Sequence, residues 1–189
     1  MWLLEIESRK EIRLSGLPGN LKLADMAWSP DQRHIAFTNI SSTSGVELWL
    51  VDVAAKTVKK ISTQALNTVS GRGFSWLPDS KSLLVRLRPA NQGAAPVANI
   101  IPQGPNSQDA LPGGAQRQVR TLQDLLKNES DAQQFDHYTL VQMAIVEVSG
   151  KTRTIGVPER TFAVSASPDG KYLHTQVVGR LHSYIVAAN

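Results

Sequence analysis

A Pro-Asp turn set at the end of an apolar strand recurs three times in this chain, and that recurrence constrains the fold more than anything else in it. Met26-Ala27-Trp28-Ser29-Pro30-Asp31 returns as Phe74-Ser75-Trp76-Leu77-Pro78-Asp79, and again as Val164-Ser165-Ala166-Ser167-Pro168-Asp169-Gly170. Proline at the second position of a turn presets φ, and Asp or Gly completes the turn. Each copy therefore predicts two antiparallel strands joined tightly. The strand after the turn also repeats, as His34–Thr38, Ser82–Arg86 and Tyr172–Thr175. A third strand type, Leu48-Trp49-Leu50-Val51-Asp52-Val53, has partners in Trp2–Ile6 and Met143–Val148. Asp52 ends that strand and opens the next turn, with Glu5 and Glu147 in matching positions. A short fourth strand follows a polar turn at Val58–Ile61, Glu11–Leu14 and Thr152–Ile155.

One period accounts for the spacing. Trp2 to Trp49 is 47 residues and Trp28 to Trp76 is 48. Pro78 to Pro168 is 90 residues, one period plus an insertion of roughly forty. Four short strands in every 40 to 50 residues or so is the signature of β-propeller blades. The predicted fold class is all-β, a partial β-propeller of about two full four-stranded blades plus two half blades, with one loop and short-helix insertion. Residues 2–14 supply the outer two strands of one blade and residues 25–62 a complete blade. Residues 70–88 and 140–156 form a second complete blade, and residues 162–178 the inner two strands of a further one, whose third strand starts at Leu181 to Val186. All four tryptophans are expected to pack between blades.

Propellers close with about four to eight blades, so the chain is expected to be part of a larger ring, by truncation or excision. Taken alone, half blades leave apolar faces and strand edges bare. Marginal stability, self-association or extension of the sheets by another strand is therefore expected of the isolated chain. The insertion, residues 89–138, begins as a loop holding Pro89, Pro96, Pro102, Pro105 and Pro112. Thr121–Asn128 then reads as a short helix with Thr121 as N-cap, and a second turn is expected through Asp131 to Phe135. Such an insertion either contacts a partner domain or covers the outer face of the propeller.

Little else in the composition points to chemistry. With 41% hydrophobic and 19% charged residues the chain is globular. It has no apolar run of about 18 residues, so no membrane span is expected, and its first residues lack the pattern of an export signal. The absence of cysteine removes disulfides and thiolate chemistry. A net charge of +4, scattered, offers no basic face for nucleic acid. Gly73-Phe74-Ser75-Trp76-Leu77 lacks the final glycine of a nucleophile elbow, and Gly71-Arg72-Gly73 lacks the later glycine and helix of a phosphate loop. His34, His137, His174 and His182 show no metal-ligand spacing. Asn39-Ile40-Ser41 and Asn128-Glu129-Ser130 match the glycosylation acceptor pattern, a match that occurs often by chance. No catalytic, cofactor-binding or metal-binding residue is assigned, and no cofactor is expected.

The Trp-Ser-Pro-Asp turn, then Ile-Ala-Phe-Thr, then Leu-Trp-Leu-Val-Asp-Val resembles the propeller of prolyl oligopeptidase-family serine peptidases. The same pattern fits TolB-like propellers. The insertion narrows the resemblance. Trp76-Leu77-Pro78-Asp79, Gly93-Ala94-Ala95-Pro96, Gly104-Pro105-Asn106, Arg120–Asn128 and Phe135-Asp136-His137-Tyr138 are similar to glutamyl endopeptidases of plastids and their bacterial relatives. That resemblance implies a larger, exported or plastid enzyme. In it the propeller precedes an α/β-hydrolase domain with a Ser-Asp-His triad and restricts access to peptides. No triad motif matches a position in this chain, so the catalytic domain is expected to be absent from 1–189. The expected role is that of a non-catalytic propeller fragment, its partners the hydrolase domain and peptide substrates. The alternative is a TolB-like scaffold propeller that binds proteins and has no enzyme domain.

Overall fold

The computed structural model describes residues 1–97, 126 and 128–179. Strands β1 (Trp2–Leu4) and β2 (Glu11–Arg13) pair as a two-stranded sheet. Strands β3 (Leu23–Trp28), β4 (His34–Ser41), β5 (Gly45–Asp52) and β6 (Thr57–Lys60) form a four-stranded antiparallel meander. A second meander holds β7 (Phe74–Trp76), β8 (Ser82–Leu87), β9 (Val141–Glu147) and β10 (Thr152–Glu159). Helix α1 (Glu129–Thr139) lies between β8 and β9. Strands β11 (Thr161–Ala166) and β12 (Leu173–Val177) make a last pair. This is a partial β-propeller: two whole blades flanked by an outer half and an inner half.

The register is copied from blade to blade. Trp2 faces Arg13 as Trp49 faces Lys60, and Trp28 faces Ile35 as Trp76 faces Leu83. The Pro-Asp turns are built alike. Ser29 N–H donates to the His34 carbonyl, Leu77 N–H to that of Ser82, and Ser167 N–H to that of Tyr172. Each turn needs one left-handed residue, at φ 63° for Gln32, 58° for Ser80 and 71° for Gly170. Only the third turn uses glycine, so the first two hold an L-residue in a region that costs it roughly 1–2 kcal/mol.

Strand alternation sends successive side chains to opposite blade faces, and each face packs on the neighbouring blade. Three cores result. Ile35, Phe37 and Val51 face the first half blade, meeting Met1, Leu3 and Leu14. Ala36, Leu48 and Leu50 point the other way and pack on Phe74, Leu83, Val85 and Val146 of the second blade. On that blade's far face Leu84 and Met143 meet Val164, Ala166 and Leu173. Strands buried on both faces explain why β8 is buried at all six positions.

Two expectations need correction. Trp49 and Trp76 do pack between blades, but Trp28 is 51% and Trp2 65% exposed. Trp76 rests on β3 and β4, the inner strands of the sheet before it, and Trp28 is its counterpart one blade earlier, while no described sheet precedes that of Trp2. The first half blade has only an outer pair among the described residues. The expected second turn at Asp131 to Phe135 is part of α1, an 11-residue helix, and its N-cap is Asn128, whose side chain accepts from Asp131 N–H at 2.9 Å. The helix expected over Thr121–Asn128 and the strand expected at Leu181–Val186 lie outside the described residues but for Leu126 and Asn128.

Candidate functional site

The two ends of the blades differ in chemistry. One end carries the Pro-Asp turns. There Ser29 Oγ donates to Asp31 at 2.6 Å and accepts from His34 N–H at 3.0 Å, so a serine, an aspartate and a histidine sit together. The third turn shows what this arrangement is. Ser167 Oγ donates to Asp169 at 2.6 Å and accepts from Tyr172 N–H at 3.0 Å, with tyrosine where histidine stood. The cluster is a turn lock. The serine hydroxyl, foremost, and a backbone N–H hold the Asp31 and Asp169 carboxyls below the usual carboxylate range.

The opposite end carries the β4–β5 turn, the connection from β6 to β7 and, of the described residues between β8 and β9, residues 88–97 and α1. Leu66, in the β6–β7 connection, bridges Val46 of β5 and Leu87 of β8, tying the two blades together. Asn67 beside it donates through Nδ2 to the Tyr138 carbonyl at 2.8 Å and the Leu140 carbonyl at 2.9 Å. Those are orphan carbonyls at the helix C-terminus, so Asn67 anchors α1 on this end. Arg160 fixes the helix from the other side, reaching Asp136 at 2.8 Å, while Phe135 stacks on Phe162 at 6.1 Å. Between the β6–β7 connection and Tyr138 lies a pocket of about 190 Å³ with Val46, Leu66 and Val69 on its walls and Arg88 at its edge. A second pocket of about 200 Å³ adjoins it at Val46 and Thr68, beside the Asp25–Arg72 ion pair at 2.9 Å. Ligand pockets typically run to about 300–1,000 Å³, so each is small for an organic substrate.

Arg86 is the one buried cation among the described residues, 3% exposed in the middle of β8. Among the described residues it has no carboxylate partner. Its guanidinium donates to the carbonyls of Ser70, Thr161 and Phe162, clamping the second blade to the last pair. Burial lowers its pKa from the usual arginine value, and Nε has no acceptor. Gly71-Arg72-Gly73 serves the same seam. A Cβ at Gly73 would come within 2.9 Å of Leu66 and Thr68, and one at Gly71 within 3.2 Å of Arg86. The sequence contained one visible sign of this clamp, a lone charge inside the apolar run Leu83 to Leu87.

The remaining sequence candidates stay dispersed. His34 faces the Trp76 ring at 6.3 Å, and His137 meets Tyr138 edge-on at 5.1 Å. His174 pairs across the last sheet with Ser165, and His182 lies outside the described residues. Among the described residues no three His, Asp or Glu side chains converge as metal ligands, and no helix is long and apolar enough to cross a membrane. Asn39 of the first glycosylation triplet is 3% exposed and accepts from Lys22 N–H, and Asn128 of the second caps α1.

Known proteins locate this arrangement. No family model matches the chain. It is 36% identical to a probable glutamyl endopeptidase, chloroplastic, of Oryza sativa subsp. japonica, over 90% of this chain and 19% of that protein. A protein of the same name from Arabidopsis thaliana is 32% identical over 93% of this chain. A solved structure from work on two prolyl endopeptidases shares the fold, with a TM-score of 0.51 at 16% identity, covering 91% of this chain and 21% of that one. The chain resembles a stretch of the glutamyl endopeptidases, and its blades share the fold of that prolyl endopeptidase structure. It spans about a fifth of the length of the glutamyl endopeptidase relatives it matches. The propeller end that carries Asn67, the two pockets and α1 is the one where this chain departs from its own repeat. A repeat preserved for packing has no use for such a departure, so this end is the candidate functional face.

Proposed function

We propose that this chain is a non-catalytic propeller portion of a glutamyl endopeptidase-like serine peptidase. In the longer protein it gates the passage of peptides to an α/β-hydrolase domain that lies outside residues 1–189. The observation that supports this is the match over nine-tenths of the chain to a fifth of the glutamyl endopeptidases, in a chain whose described strands all belong to blades or half blades. The face built by the β6–β7 connection and α1 is the side on which the hydrolase domain docks.

The test uses this chain and a longer polypeptide that continues past Asn189. Short glutamyl peptides and a folded protein are offered to both. The expected result is no turnover by the 189-residue chain, and cleavage of peptides but not of the folded protein by the longer form. Turnover by the chain alone refutes the non-catalytic reading. Equal cleavage of peptide and folded protein refutes gating. A continuation that holds only further blades favours the scaffold alternative.

A further inference from the structure

Two pockets adjoin on the face that carries α1, and their charges differ. In the one beside β3 the cation is matched, since Arg72 holds Asp25 at 2.9 Å. In the other, between the β6–β7 connection and Tyr138, one formal charge lines the wall, that of Arg88, and no acid does. Elsewhere around this face Asp136 holds Arg160, and three carbonyls hold Arg86. Among the described residues the Arg88 guanidinium has neither an ion pair nor a hydrogen bond. Its backbone is fixed all the same, because the Arg88 N–H donates to the Ala65 carbonyl at 2.9 Å. The hydroxyls of Thr68 and Tyr138, which line the same pocket, are likewise without a partner among the described residues. The wall is drawn from positions 45–92 and 138, so its shape owes nothing to the first or the last sheet.

Size and lining select the occupant. About 190 Å³ is too little for a whole organic substrate but suits one side chain. At about 30 Å³ per water in the liquid, the space matches about six non-hydrogen atoms. The wall is apolar at Val46, Leu66 and Val69 and cationic at its edge. A phosphate would meet that apolar wall with a single cation to hold it. A purely apolar group would bury Arg88 unpaired. A short aliphatic stem ending in a carboxylate suits both parts. The site is also built before anything enters. Asn67 ties down the carbonyls of Tyr138 and Leu140, Gln92 Nε2 donates to the His137 carbonyl, and Leu66 N–H donates to the Val46 carbonyl at 2.8 Å. Neither the connection nor the helix end has to be ordered on binding.

We propose that this pocket takes the acidic side chain of a peptide, its stem on Val46, Leu66 and Val69 and its carboxylate on Arg88. The inference rests on the peptide-gating reading for the source of that side chain. It makes Arg88 a residue by which the propeller itself selects among peptides.

The test is fluorescence polarisation of two labelled peptides on the 189-residue chain. They are blocked at both ends and identical, except that one carries glutamate where the other carries glutamine. The glutamate peptide is expected to bind about fivefold tighter at low salt, the scale of a partly exposed ion pair, and the advantage should shrink as salt is raised. Arg88→Gln is expected to abolish the advantage, while Lys59→Gln, which removes the same charge from an exposed position on β6, keeps it. Arg88→Glu is expected to favour a lysine peptide instead, a gain that misfolding could not mimic. Equal binding of the first two peptides, or binding of neither, overturns the proposal, and so does a preference that survives Arg88→Gln. The peptidase reading fails separately. An Arg88-dependent preference without turnover by the polypeptide that continues past Asn189 refutes that reading alone. Turnover without the preference refutes the pocket alone.

Discussion

Glu47 allows a sharp test of how the first complete blade holds together. It is 8% exposed on β5 and accepts from Lys60 Nζ at 2.7 Å, Trp49 Nε1 at 2.9 Å and Asn39 Nδ2 at 3.2 Å, with Ser44 Oγ at 2.5 Å. Burial alone would raise its pKa. The hydrogen bonds from Lys60, Ser44, Trp49 and Asn39 together outweigh burial and hold it at about 2, against an ordinary 4.5. A drop of that size corresponds to about 3 kcal/mol of folding stability at 1.36 kcal/mol per pH unit. The Lys60 side chain is 38% exposed, so solvent screening trims the figure to about 2–3 kcal/mol. Because the folded-state value lies below the unfolded one, the contribution is complete above about pH 4.5 and is lost as pH falls through about 2. Glu47→Gln keeps the shape and removes the charge. Urea unfolding of both proteins, repeated from pH 7 to pH 2, should show the variant less stable by about 2–3 kcal/mol at pH 7. The gap should narrow steadily below about pH 4.5. A gap that stays constant with pH would mean the carboxylate's charge contributes nothing, and the account of this network would be wrong.

Two further substitutions probe the repeat itself. Trp76→Ala removes a part-buried indole and its bond to Ala27, at a cost of about 3–5 kcal/mol, whereas Trp28→Ala should cost at least about 1 kcal/mol less. Equal costs from chemical denaturation would show that the two rings have the same surroundings and that the blade register is wrong. Gly16→Ala should destabilise by more than about 2 kcal/mol, because Gly16 sits at φ +82° and a Cβ there would lie 2.3 Å from the Val58 backbone carbonyl. A thermal midpoint that does not move would show that the β2–β3 connection can shift without loss.

Turn chemistry made the blades legible in the sequence. A Pro-Asp pair, an alternating apolar strand and a fixed offset are local properties that survive translation along the chain. The offset of 47 between the Trp2 and Trp49 registers is the same number in the sequence and in the ladders. The candidate face was far less legible. Asn67 and Tyr138 are 71 residues apart, and Asp25 and Arg72 are 47 apart, and nothing in either neighbourhood announces the other. Arg86 could be noticed as a misplaced charge, but that its partners are three carbonyls rather than a carboxylate depends on where Ser70 and Thr161 arrive in space.

The sequence by itself therefore determined the strand order, the turns and the number of blades, because each follows from backbone preferences over a few residues and from their repetition. Only the tertiary structure decided which tryptophans are covered, where a buried cation finds acceptors, and which end of the blades carries pockets. Those outcomes depend on which sheet lies next to which, and identical residues at identical repeat positions, such as Trp28 and Trp76, meet different neighbours.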